Sequence, residues 1–281
     1  AAFYRQRRYL VSRVSLNGHI DTRGVSDLHI KTGEFGGTMV GNGIEADCEI
    51  DCKEKNLPSI VSVTAKGVIP SSMGLGDDIH DKMTLTASGR GSLSHLICEG
   101  TVTMPELHVP ALDFYDVKGD IHYDDGAMTF SDVKARVYGG IVTARGDYNV
   151  DSRVYNIYLH GEGLDSRIPT KEPRFYCLVT LDGEIHCDGN VKDLVAFGSF
   201  SSGGGFYSLI PFRGILVRFI TAIGRWFYDV TIDTDFGLIH TDAFHIIDGK
   251  LHLGKIELVD KESGEAMSIT DARNQKGPGR V

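Results

Sequence analysis

A few groups of residues in this sequence have the types from which chemistry is built. Cys48 and Cys52, four apart, are candidate soft-metal ligands, and His240 and His245 are candidate imidazole ligands. Asp77, Asp78 and Asp81 gather the carboxylate oxygens that Ca²⁺ takes, and Asp124–Asp125 are adjacent carboxylates of the kind used as acid and base. Gly41-Asn42-Gly43 and Gly89-Arg90-Gly91 are fragments of a dinucleotide-binding pattern, without the third glycine or a βαβ context. None of these develops into a site. On a strand, Cys48 and Cys52 stand about 13 Å apart at ~3.3 Å per residue, too far to share one metal. The histidine pair has no cysteine at finger spacing, and the acidic loop lacks an EF-hand pattern. Asp124 and Asp125 are explained by the Asp-Gly turn they occupy. A nucleophile elbow, a His-Glu-x-x-His helix and a phosphate loop are all missing from the sequence. The expectation is a protein that is not an enzyme and uses no cofactor and no metal.

The elements that carry these residues are strands. Ile44, Ala46, Cys48, Ile50 and Cys52 alternate with Glu45, Asp47, Glu49, Asp51 and Lys53, which gives one dry and one wet face. The same period runs through Val61–Ala65, Met83–Ala87, Leu96–Met104, Tyr155–Leu159 and Phe175–Leu181. Asp125-Gly126, Asp182-Gly183, Asp188-Gly189 and Asp248-Gly249 read as turns between strands. From 117 to 151 the pattern is strand, Asp-Gly turn, strand, Tyr138-Gly139-Gly140, strand. The double glycine is expected to bend or bulge the strand that contains it. Gly18-His19-Ile20 with Phe35-Gly36-Gly37 repeats the Gly-x-Ile opening and aromatic-Gly-Gly centre of Gly119-Asp120-Ile121 and Tyr138-Gly139-Gly140, which points to a repeated hairpin unit. Consecutive strands with short turns make the expected fold antiparallel and mainly β.

Composition narrows the classes further. The chain has 281 residues, is 41% hydrophobic and holds 34 glycines without a collagen period, so many tight turns are expected. A net charge of -9 weighs against nucleic acid as a partner. Five cysteines do not make a disulfide framework, and there is no apolar run long enough for a transmembrane helix. The first residues do not read as a signal peptide, and the chain is expected to be a fragment of a longer protein.

One segment departs from period two. From 206 to 228, Leu209, Phe212, Leu216, Phe219, Ile223 and Trp226 recur at steps of three and four, and Arg213, Arg218 and Arg225 accompany them. That spacing predicts an amphipathic helix, docked on the end of a sheet or lying on an anionic membrane surface.

The Gly119-x-Ile121, Asp125-Gly126, Phe130, Tyr138-Gly139-Gly140, Gly146 and Leu159–Leu164 sequence resembles the repeat of the AsmA-like family, envelope proteins of the TamB and YhdP type. Gly203–Gly205, the amphipathic segment, Phe236, and Phe244-His-Ile-Ile-Asp-Gly249-Lys-Leu-His252 with Ile256–Leu258 are similar to that family's terminal module. The resemblance covers about Leu16 to Met267 and rests on glycine and aromatic spacings. It implies an elongated, curled antiparallel sheet forming a hydrophobic β-groove. Residues 1–198 would form the hairpin array, 199–229 the Gly-rich lead and helix, and 230–281 the terminal strands and a loose tail. It further implies a periplasmic protein of a diderm bacterium, tethered to the inner membrane by an N-terminal anchor. Such a protein carries phospholipids towards the outer membrane, with an inner- or outer-membrane protein as a further partner. On that reading Ile44, Ala46, Cys48, Ile50, Tyr138, Val142, Tyr148, Ile157, Phe175, Val179 and Leu181 touch acyl chains. The competing expectation is a structural or adhesive β-sandwich or solenoid whose apolar faces close on one another.

Overall fold

The computed structural model describes residues 15–20, 24–31, 43–51, 58–70, 80–92, 95–109, 112–171, 173–190, 194–222, 225–242, 244–247, 250–253 and 255–268. The fold is mainly β, built on a large antiparallel sheet that is not closed, with one short helix among the described residues. The chain divides into two compact units: Ala1–Val137 with Thr143–Tyr155, and Tyr138–Val142 with Asn156–Val281.

In the first unit, β1 (Ser15–Ile20), β2 (Gly24–Lys31), β3 (Gly43–Asp51), β4 (Pro58–Val68), β5 (Met83–Ser92), β6 (His95–Val109), β7 (Leu112–Asp124) and β8 (Ala127–Val137) pair each with the next. The Asp125–Gly126 turn forms as expected. Both residues have positive φ (44° and 86°), the conformation of a two-residue hairpin turn whose twist matches its strands. Register carries the period-two pattern across the sheet. Thr64, Thr86, Thr101, Asp120 and Ser131 face one another in a polar row. Val63, Ala87, Gly100, Ile121 and Phe130 make the neighbouring apolar row, and Val61, Gly89, Cys98, Tyr123 and Met128 make another.

The alternation is interrupted at fixed places. Ala65 is followed on the apolar face by Val68, Met104 by Leu107, Phe114 by Val117, and Phe130 by Val133, a step of three where a strand steps by two. Gly67 (φ 64°), Asp116 (φ 52°) and Asp132 (φ 50°) occupy the left-handed region beside three of these steps, where the ladder register shifts. Each is a bulge that returns the following apolar residue to the apolar side. Val68, Met83, Met104, Val117 and Ala135 are buried there as one cluster.

The strands β9 (Gly140–Asn149) and β10 (Val154–Asp165) contribute to both units. The second unit continues with the short helix α1 (Arg167–Thr170), β11 (Phe175–Asp188), β12 (Val195–Ser202), β13 (Gly205–Tyr207), β14 (Ile210–Phe212), β15 (Gly214–Ala222), β16 (Arg225–Thr234), β17 (Gly237–Thr241), β18 (Phe244–Ile247), β19 (Lys250–Leu253), β20 (Ile256–Val259) and β21 (Ala266–Ser268). The ladder runs β11–β12–β15–β16–β17–β20–β21, while β13 and β14 extend it as a hairpin on the start of β11. β18 and β19 pair only with each other among the described residues. A second cluster buries Phe175, Cys177, Phe212, Ile215, Val217 and Val230.

Three sequence expectations are corrected here. The 206–228 segment is not a helix: Leu209 lies in the β13–β14 turn, Phe212 on β14, Leu216 and Phe219 on β15, and Trp226 on β16. Ile223 lies outside the described residues. Ile215, Val217, Phe219 and Thr221 alternate with Leu216, Arg218 and Ile220, so both faces of β15 carry apolar residues. A strand apolar on both faces imitates a three–four spacing. Gly214 opposes a helix by about 1 kcal/mol relative to Ala, and the β-branched residues favour the strand. Next, Asp182–Gly183 makes no turn, since β11 runs straight through it and Gly183 pairs with Gly198. Finally, Tyr138-Gly139-Gly140 neither bends nor bulges a strand. Tyr138 (φ 47°) and Gly139 (φ 80°) are the two-residue turn between β8 and β9, and Gly140 opens β9. The earlier Phe35-Gly36-Gly37 copy and the Asp248-Gly249 turn lie outside the described residues.

Two glycines sit on apolar rows where nothing larger fits. A Cβ at Gly100 meets the Thr86 carbonyl oxygen at 2.3 Å and the Ala87 Cα at 2.8 Å. At Gly198 it meets the Asp182 carbonyl oxygen at 2.2 Å and the Phe219 ring at 2.8 Å. Because the obstructing atoms are backbone, Gly100→Ala is expected to destabilise the fold by about 2–3 kcal/mol. At Gly203 no atom lies within 4 Å of an added Cβ, and Gly203→Ala is expected to stay within about 0.5 kcal/mol of wild type. Urea unfolding of the two variants checks the difference.

Candidate functional site

The feature with functional potential is the apolar face of each unit. In the first unit it consists of the rows already given, together with Leu85, Val102, Leu107, Phe114 and Val133 against the buried cluster. In the second, Leu181, Phe200, Val217 and Val230 oppose one another across β11, β12, β15 and β16. Next to that row, Gly183, Gly198, Phe219 and Tyr228 form another. The Phe219 ring lies over the two glycines and 5.0 Å from the Phe200 ring, while Phe175 stacks on Phe212 at 6.0 Å. Burial falls away from these centres: Val61, Val63, Leu85, Cys98, Val179, Phe200 and Phe219 are only half-buried.

The sequence-predicted contacts divide unevenly. Phe175, Val179 and Leu181 lie on one face of β11, with Cys177 between them at full burial. Val142 is buried on β9, Ile157 is half-buried on β10, and Tyr148 is half-buried with its ring 6.3 Å from that of Tyr155. Tyr138 belongs to a turn rather than to a strand face. The backbone of Ile44, Ala46, Cys48 and Ile50 pairs with Ala65, Val63, Val61 and Ser59, but their side chains lie outside the described residues. Sequence reasoning did not name Val63, Leu85, Val102, Ile121, Phe130, Phe200, Val217 or Val230 as lining positions. Val63, Leu85 and Val102 stand in strands whose alternation the sequence shows, whereas which residues of neighbouring strands share one row is carried by cross-strand register alone.

The cysteines of this face are inert. Burial pushes the Cys98 thiol up, and does the same at Cys177 against weaker opposing hydrogen bonds from Ser166 and Ser202. Among the described residues, no group of three or more His, Cys, Asp or Glu is arranged to hold a metal. Asp81, from the acidic loop, instead accepts hydrogen bonds from the His108 backbone N–H at 2.7 Å and from His108 Nδ1 at 3.0 Å. Asp77 and Asp78 lie outside the described residues.

The opposite, solvated face carries cross-strand imidazole–carboxylate pairs. His29 meets Asp47 at 2.8 Å, His95 meets Asp124 at 3.2 Å, and His160 meets Asp182 at 2.7 Å and Glu162 at 3.2 Å. His186 bridges Asn156 at 2.6 Å and Asp188 at 2.8 Å. Such pairs hold neighbouring strands in register, each with a small contribution because water reaches it. Each unit thus has apolar rows on one face, and on the other these charged pairs together with exposed apolar residues such as Ile60, Phe197 and Ile220.

No family model matches the chain, and no curated protein and no solved structure is significantly similar to it.

The histidine pairs set a pH dependence. The Asp81 carboxylate holds the His108 imidazole above its ordinary value, and Asp182 followed by Glu162 does the same for His160. Burial pushes the Asp81 carboxyl up, but the two hydrogen bonds from His108 outweigh it and hold the group low. A raised imidazole stabilises the fold fully below the ordinary imidazole value, and that contribution is lost as pH rises through the raised one. The lowered carboxyl contributes above the ordinary carboxylate value and loses its effect as pH falls through the lowered one. Thermal unfolding is therefore expected at a lower Tm at about pH 8 than at about pH 6, the interval in which histidine discharges. The double variant His108→Gln, His160→Gln is expected to flatten that difference.

Proposed function

We propose that the apolar face of this sheet carries phospholipid acyl chains, and that the chain is a segment of an AsmA-like envelope protein. In this reading it conducts lipid between the inner and outer membranes of a diderm bacterium, within the periplasm, as part of outer-membrane lipid homeostasis. The observation that carries the proposal is the apolar rows. They cross five strands of the first unit, where Val63, Ala87, Gly100, Ile121 and Phe130 are half-buried, and four of the second, where Phe200 is half-buried and Leu181, Val217 and Val230 are buried. An acyl chain laid on such a face gains ~0.8 kcal/mol for every CH₂ taken from water, so a long chain supplies its own driving force and no nucleotide is needed.

The glycines support a curled sheet in this reading. At Gly100 and Gly198 the backbone of the adjoining strand occupies the space of a Cβ, so the strands approach closely there. Curling within a unit would turn its own rows towards a trough, and in the second unit Val179, Phe200 and Phe219 would offer half-exposed surface to a ligand. An inner- or outer-membrane protein would then hand lipid on at either end.

The second reading, a structural or adhesive β protein, draws on Val68, Cys177 and Val230, which reach 1%, 1% and 0% exposure without any ligand. In that case the clusters are cores in their own right, and the half-buried residues are their margins.

The two separate on what copurifies with the protein. Mass spectrometry of the folded chain under native conditions is expected to detect phospholipid in the wild type. Val63→Glu and Val179→Glu are expected to lower it severalfold, since each places a charge in an apolar row. Thr180→Glu, on the other strand face, is expected to leave it unchanged. A wild type devoid of lipid, or folded Glu variants with undiminished lipid, would overturn the proposal.

A further inference from the structure

The second unit carries an exposed apolar cluster that the lipid-carrying face does not use. Phe206 and Pro211 face each other on the β13–β14 hairpin, with Leu209 at its tip. The tip is fastened to the loop before β11 by the Ser208 N–H donating to the Arg174 carbonyl at 2.7 Å. Beside it stands α1, whose Ser166 cap residue donates to the Phe175 carbonyl at 3.0 Å and accepts from the Cys177 N–H at 2.9 Å. On the other side lies the Asp235–Phe236 turn, tied to the end of β14 because Arg213 donates to Asp235 at 2.6 Å and its N–H to the Asp233 carbonyl at 2.7 Å. The helix α1, the β13–β14 hairpin and the Asp235–Phe236 turn therefore present Ile168, Phe206, Leu209, Ile210 and Phe236 to solvent, at 50%, 53%, 93%, 59% and 82% exposure, with Phe206 and Ile210 on opposite faces of the hairpin. These values are what an anchor shows, since large apolar side chains at a rigid tip are otherwise turned inwards.

The charges around the cluster indicate its occupant. Residues 194–228 include no Asp or Glu, although the whole chain carries 38 of them in 281. The basic groups near the tip are Arg167, whose guanidinium sits 4.4 Å from the centre of the Tyr176 ring, with Lys171, Arg174 and Arg213. Asp165 and Asp235 are held by Arg167 and Arg213, and Glu172 lies outside the described residues. Apolar tips edged by lysine and arginine are what an anionic bilayer surface accepts: the side chains enter the acyl boundary and the cations stay at the phosphates.

We propose that this end of the second unit is a membrane anchor that inserts Leu209 at the hairpin tip, with Phe206 and Phe236, into an anionic phospholipid bilayer. It stands on side chains outside the apolar rows, and holds whether or not those rows carry lipid. A protein partner would use the apolar tip without regard to lipid charge, and the test separates the two.

The test is flotation of the full chain with vesicles of phosphatidylcholine alone and of phosphatidylcholine with phosphatidylglycerol. Binding is expected on the mixed vesicles, about tenfold weaker on the neutral ones and about tenfold weaker for Lys171→Glu. Leu209→Asp is expected to abolish it. Its side chain is almost wholly in water, so the fold should survive, which the β signal in circular dichroism checks. The chain has a single tryptophan, Trp226, so Leu209→Trp in a Trp226→Phe background places the only indole at the tip. Its fluorescence is expected to shift to the blue and to be quenched by brominated acyl chains. No binding to anionic vesicles, binding that Leu209→Asp leaves intact, or an unquenched indole would each overturn the anchor. Equal binding to both vesicle types would overturn the assignment to an anionic surface.

Discussion

A strand has one inescapable geometric property: its side chains point alternately to two sides, so a slip of one residue exchanges the faces. Every apolar row in this protein depends on that parity being kept along strands of eight to fifteen residues. Strands this long drift and twist, and the sheet keeps its faces separate by inserting single residues. Gly67, Asp116 and Asp132 each take the left-handed conformation and use up one position. Gly163 (φ 68°) lies in the same kind of step on β10, where buried Gly161 is followed by buried Leu164. Glycine and aspartate are the residue types that enter this region at least cost, so an extra residue of another type would strain the backbone or move the next valine into water. The bulges are therefore part of how the apolar face is made.

That also explains what could be read in advance. The strands over Ile44–Asp51, Met83–Ala87, Leu96–Met104 and Phe175–Leu181 were plain from alternation, and so was the Asp125–Gly126 turn. The bulges were not, because a step of three in a sequence looks like an irregularity until the neighbouring strand is aligned with it. The segment from Gly205 to Tyr228 was misread for a related reason. It bears apolar residues on both sides, and with both sides apolar the period that separates helix from strand vanishes from the sequence. Leu209 and Phe212 seemed to share one helical stripe, whereas the fold sends Leu209 into solvent and Phe212 under Phe175. The apolar faces of β11 and of Met83–Ala87 on β5 were legible strand by strand, whereas the rows that join neighbouring strands were not, since a row is defined by register.

The two faces are held by different kinds of interaction. On the dry side, large rings lie over missing ones, as Phe219 does over Gly183 and Gly198. On the wet side, imidazoles and carboxylates reach across strand pairs, and Arg136 with Asp116 and Lys261 with Asp233 join them. Burial contributes most of the cohesion and fixes which side of each strand turns inwards, whereas the surface pairs contribute little and add to the match between particular residues.

The first unit has one further property, which follows from its pairing order. From β1 to β8, each strand bonds to the strands next to it in the chain, and among the described residues the ladder does not reach back to an earlier strand. Such a sheet works as a tape. Duplication of one hairpin adds two strands, about 10 Å of width at ~4.8 Å each, without breaking a distant contact. A gene encoding it can lengthen or shorten by whole hairpins while the local fold persists, so its span is set by the number of hairpins in the chain.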